Sequence, residues 1–120
     1  MKADELKKRT KDFAHRCVKL AVALPSTQLG NHIRGQLLRC STSVASNYRA
    51  ACIAQSKASF ISKLSIVIEE ADESCFWLEF IIDENLLKKA QVEPLLKEAE
   101  ELTAIFMTSR MTARMEKNGD

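Results

Sequence analysis

The chain has 120 residues, 46% apolar and 28% charged, with 18 Lys/Arg against 16 Asp/Glu and a formal charge of +2. That length supports one core, and a single domain over 1–120 is expected. No run approaches the roughly 20 apolar residues that cross a bilayer, and the opening MKADELKKRTKDF is charged from its start, unlike a secretory leader. A cytoplasmic protein without a membrane is expected.

Three Gly and two Pro leave room for long helices, and apolar residues recur three and four apart along the whole chain. A first helix is predicted over 4–24, with the seam Leu6, Thr10, Phe13, Cys17, Leu20 and Leu24, stopped by Pro25. Ser26 and Thr27 are candidate caps for a second helix over 28–54. Its seam reads Ile33, Leu37, Cys40, Val44, Asn47 and Ala51. Asn47 falls where an apolar residue belongs, and a polar core residue that pins helix register is expected there, ahead of a ligand contact.

Ser56 can cap a third helix over 57–84, whose seam is Phe60, Leu64, Val67, Ala71, Ser74, Leu78 and Ile81. A polar stretch from Asn85 to Gln91 predicts a turn. A fourth helix over 93–115 follows, with Pro94 in its first turn, where the missing N–H is harmless. Beyond Arg114 a basic tail is expected to fray. No alternating strand pattern occurs. The predicted fold class is all-α, an up-down-up-down antiparallel four-helix bundle.

The outward rows carry the unusual information. The first helix shows charge there, but the second shows His32, Gly35, Arg39, Thr42, Ser46 and Arg49, small residues broken by arginines. On the third helix Phe76 and Phe80 stand one turn apart beside Trp77, a candidate oligomer interface; a splayed bundle that draws these rings into its core is the alternative. Charge is also segregated. Residues 1–66 hold 12 Lys/Arg and three Asp/Glu, a balance of +9, and residues 67–120 hold six and 13, a balance of −7, which together give the +2. Either the basic and acidic faces meet, within one chain or between chains, or the basic surface is open to phosphates. Lys8, Lys11, Arg16, Arg34, Arg39, Arg49, Lys57 and Lys63 are the candidate nucleic-acid contacts.

The patterns of catalysis are missing. There is no Walker loop, GxSxG or GxGxxG, and no Glu has a His three positions on, with His15 and His32 the two histidines. Cys17, Cys40, Cys52 and Cys75 lack metal or disulfide spacing and read as small thiols in a reducing compartment. The cluster Glu69, Glu70, Asp72 and Glu73 reads as an ion-pairing or solvated face. No catalytic residue, metal, cofactor or small-molecule substrate is expected.

The run Gln36-Leu37-Leu38-Arg39-Cys40-Ser41-Thr42-Ser43-Val44, with Asn47-Tyr48-Arg49-Ala50-Ala51, resembles the four-helix bundle proteins named for the intervening sequences of bacterial 23S rRNA genes. Ser56-Lys57-Ala58-Ser59-Phe60-Ile61, Glu69-Glu70-Ala71-Asp72-Glu73-Ser74, Trp77-Leu78 and the Leu24-Pro25 ending fit the same pattern, which covers most of residues 10–110. The resemblance implies a ring-like homo-oligomer, a pentamer. It also implies kinship with accessory proteins of diversity-generating retroelements, in which a basic surface engages RNA and a reverse transcriptase. An acid common in that family near Arg49-Ala50 is replaced here by arginine. The expected function is that of a non-enzymatic homo-oligomeric bundle associating with structured RNA or a nucleoprotein partner through a basic surface. The alternative is a protein–protein adaptor whose charges serve only ring-like self-assembly.

Overall fold

A computed structural model describes residues 1–116 and shows four helices: α1 (Ala3–Val22), α2 (Gln28–Cys52), α3 (Lys57–Asp83) and α4 (Lys89–Met115). There is no strand among the described residues. Each helix packs on its neighbours in the order α1-α2-α3-α4, the α1/α4 seam is the thinnest, and the diagonal pair α2/α4 meets through the core side chains Tyr48 and Phe106. The result is an antiparallel four-helix bundle 52 × 20 × 20 Å in extent. Cross-helix bonds fix the registers: Ser43 to Glu70 and Cys40 to Ser74 between α2 and α3, and Ser65 to Arg110 between α3 and α4.

The helix ends follow local chemistry. Pro25 disfavours helical backbone at Leu24, and α1 closes two residues before the predicted end, at Val22. Thr27 Oγ1 accepts the Gly30 N–H at 3.0 Å and caps α2, while Ser56 Oγ accepts the Ser59 N–H at 3.1 Å and caps α3. Gly30 is required by space, because a Cβ there would lie 1.9 Å from the Pro25 carbonyl oxygen. At the end of α3, Asn85 takes φ 54°, and the N–H groups of Asn85 and Leu86 bond the carbonyls of Ile82 and Ile81. This left-handed stop reverses the chain quickly. Helix α4 therefore begins at Lys89, four residues before the predicted start, and Pro94 lies in its second turn rather than its first. Ala90, whose carbonyl loses a helix bond to Pro94, is exposed.

The core runs the length of the bundle through Phe13, Ile33, Leu37, Leu64, Leu78, Leu102 and Phe106, all fully buried. Each such side chain contributes about 1.5–3 kcal/mol by leaving water. On α2 the seam passes through Tyr48, stacked on Phe106 with ring centroids 4.9 Å apart, and misses Asn47. Asn47 is half-buried and donates to the Ser43 carbonyl and hydroxyl of its own helix, at 3.0 and 2.8 Å. The predicted pin is thus not in the core: with 3.6 residues per turn the buried stripe drifts away from a strict 3.5 repeat. Among the described residues the buried polar side chains are Thr10, Ser41 and Ser74. Thr10 and Ser74 bond helix carbonyls, whereas the Ser41 hydroxyl lies near the Cys17 thiol without a well-formed hydrogen bond.

All four cysteines are free; Cys17, Cys40 and Cys75 are buried and Cys52 is half-buried. Burial pushes the Cys40 and Cys75 thiols up to about 11, and that of Cys17 higher still. Of the basic tail expected to fray after Arg114, Met115 still closes α4 and Glu116 follows it, and the remainder lies outside the described residues.

Candidate nucleic-acid interface

A cation serves a phosphate where the fold leaves it without an internal partner or with an exposed one that it gives up readily, and the eight predicted contacts separate on that criterion. Arg34 points back into the α1–α2 turn. Its guanidinium donates to the carbonyls of Ala21 at 3.1 Å and Leu24 at 2.6 Å, acceptors at the end of α1, where the helix ladder runs out. Arg34 is a helix-end clamp, and its place among the phosphate contacts is withdrawn.

Arg39 reaches across to α3, where it pairs with Glu70 at 3.1 Å and with Glu73. Around that pair runs a polar ladder. Asn47 donates to Ser43, Ser43 to Glu70 at 3.1 Å, and the Trp77 indole to Glu73 at 3.0 Å. The two carboxylates hold the Arg39 guanidinium well above its ordinary range, and Arg39 holds the Glu73 carboxyl below the carboxylate range. Arg39 is therefore engaged, with Glu70 and Glu73 as its acids, while Glu69 of the same cluster stays exposed. Lys57 donates to the Glu116 carbonyl at 2.9 Å. Lys63 is half-buried on α3. Arg16 lies on the other flank of α1, in a shallow groove with Lys19, Gln91 and Leu95.

Lys8, Lys11 and Arg49 do converge. With Lys7 and Ala45 they line a groove of about 430 Å³ between α1 and α2. Ala45 keeps its floor low, and lysine stems form apolar walls below charged heads. Lys7 and Lys8 make surface pairs with Asp4 at 3.3 Å and Asp12 at 2.7 Å. Such exposed pairs are weak and yield to an incoming phosphate. Lys11 and Arg49 are exposed and have no partner among the described residues. The α2 wall can supply no competing acid, because residues 26–66 contain neither Asp nor Glu. Four convergent cations over small side chains suit an anionic chain lying along the groove.

Two structural features escape the sequence. Lys7 joins the groove one turn before Lys11, and that i, i+4 spacing was the available signal. Arg9 fastens the thin α1/α4 seam, donating to both carboxylate oxygens of Glu98 at 2.7 Å and to Glu101 at 3.0 Å. Those pairings depend on helix register across the seam, which no single helix encodes.

The aromatic residues also divide. Phe76 is 51% exposed, while Trp77 and Phe80 lean on the core. Trp77 meets the His32 ring edge-on at 5.6 Å and Phe76 at 4.9 Å. Among the described residues no helix is long and apolar enough to cross a membrane, and no group of three His, Cys, Asp or Glu side chains is placed to hold a metal ion.

The family model of the 23S rRNA-intervening sequence protein matches residues 2–108, and the chain belongs to that family. It is similar to a crystal structure of a protein of unknown function from the S23 ribosomal protein family of Bacteroides thetaiotaomicron. The two share 33% identity over 92% of this chain and 99% of that one, with a TM-score of 0.84. No curated protein matches the chain.

Proposed function

We propose that this member of the rRNA intervening-sequence family is a non-catalytic, self-assembling bundle that associates with structured RNA through the α1/α2 groove. The observation that carries this reading is the convergence of Lys7, Lys8, Lys11 and Arg49 on one groove whose α2 wall has no acid. The cations act on phosphates and position the protein without reading bases. Assembly into a ring-like homo-oligomer repeats the groove, so one folded RNA meets several at once and gains avidity without new contacts.

The test is binding of fluorescently labelled RNA to the purified protein across a salt series, a structured rRNA fragment compared with a random RNA. Four phosphates per groove correspond to a log–log slope of about −3 for each groove engaged. The structured fragment is expected to bind more tightly. Failure of both RNAs to bind at low salt removes the RNA reading and leaves the protein–protein adaptor.

A further inference from the structure

Two outward ridges of the bundle have no cover among the described residues, and they are opposite in character. On α3, Phe76 stands exposed, backed by Trp77 and by Phe80 with its ring centroid 5.8 Å away. Glu69, Asp72, Glu79 and Asp83 surround it on exposed positions with no ion pair among the described residues, and no base follows Lys63 on this helix. On the second half of α4, Met107, Met111 and Met115 are exposed by 49, 60 and 74%. They repeat every four residues and so form one stripe. The segment 102–115 holds Arg110 and Arg114 and no acid.

Scattered exposed apolar residues are normal, but a continuous stripe marks an interface. The ridges cannot cover each other in one chain. Arg110 sits opposite Ser65 at 3.1 Å and Thr103 opposite Cys75 at 4.0 Å. In that antiparallel register the methionine stripe begins roughly seven residues along α3 from Phe76, about 10 Å down the bundle axis, and runs away from it, and both ridges are exposed.

We infer that the acidic aromatic ridge of α3 in one copy receives the methionine–arginine ridge of α4 from a second copy of this chain. Thioethers pack well on aromatic rings, and Arg114 meets acids instead of another arginine. Because the two halves are different surfaces, the contact is head-to-tail, and each added copy carries a free ridge of either kind, as a ring or filament requires. The inference rests on the self-assembly reading and adds which surfaces make the contact and with what polarity.

Native mass measurement of Phe76→Glu, of the double variant Met107→Glu/Met111→Glu, and of their equimolar mixture tests it. Each variant alone is expected to weaken association about 30-fold or more and to run as a monomer. The mixture is expected to give a heterodimer, since one intact ridge of each kind remains. Circular dichroism melts matching the parent confirm the fold, and Phe76→Ser replaces the glutamate variant if its melt differs. A monomeric parent protein overturns both the self-assembly reading and this inference. An assembled parent with variants that stay assembled, or a mixture that stays monomeric, overturns the ridge pairing alone.

Discussion

The two flanks of α2 carry similar cations to opposite ends. On the flank facing α3, Arg39 meets Glu70 and Glu73 and is drawn into a ladder that runs from Asn47 to Trp77. On the flank facing α1, Arg49 shares a groove with Lys7, Lys8, Lys11 and the small Ala45 and has no ion-pair partner among the described residues. The first flank is a helix–helix seam and the second is an open site. What separates them is the placement of acids on the neighbouring helix, so counting arginines along α2 does not identify a binding surface.

Converting one flank into the other gives the largest expected effect. Ala45→Glu places an acid one turn before Arg49, where it pairs along the helix and raises the groove floor. RNA affinity is expected to fall about tenfold or more, with the salt slope shallower by about two, while the melting temperature stays near that of the parent. An unchanged slope would place the RNA elsewhere. Next comes a comparison of two bridging arginines by urea denaturation. Arg9→Ala removes a bidentate, largely buried bridge and is expected to cost about 1–2 kcal/mol. Arg39→Ala removes a half-exposed bridge and is expected to cost less than about 1 kcal/mol. Equal losses would mean that burial does not distinguish the seams.

The Arg39 seam also has a pH signature. The folded Glu73 carboxyl lies below its ordinary 4.5, so it binds protons less readily folded than unfolded. The stability it contributes is present above about pH 4.5 and disappears as the pH falls through the lower folded value. The stability gap between the parent and Glu73→Gln, followed by urea midpoints, is expected to be flat near neutral pH and to close as the pH falls below about 4.5. A gap that widens on acidification contradicts the assignment. The smallest effect is chemical: a thiol reagent is expected to modify Cys52 first in the folded protein. The raised, buried Cys17, Cys40 and Cys75 should react only on unfolding.

The helices and most of the core were legible because apolar spacing is a local property of the chain. Leu37, Val44, Leu64, Leu78 and Phe106 all fall on the stripes that the sequence marks and are buried. Tyr48 displaced Asn47 because a seam read over five turns accumulates the difference between 3.5 and 3.6 residues per turn. The start of α4 depended on the left-handed conformation of Asn85, a residue that reads equally well as open loop. The site was legible in part. Lys8, Lys11 and Arg49 could be named as cations on outward helix positions, but so could Arg34 and Arg39 of the same acid-free stretch as Arg49. The engagement of Arg34 with the end of α1, and of Arg39 with α3, depends on which residues of separate helices come level, and only the packed bundle determines that.

The central claim is that the open flank of α2, and not the closed one, meets RNA. The most direct test measures RNA affinity against salt for Lys11→Gln/Arg49→Gln beside Arg39→Gln, with the parent as reference. The double variant is expected to show a slope shallower by about two, and Arg39→Gln a parent-like slope. A double variant that binds like the parent, or an Arg39→Gln loss equal to that of the double variant, would contradict it.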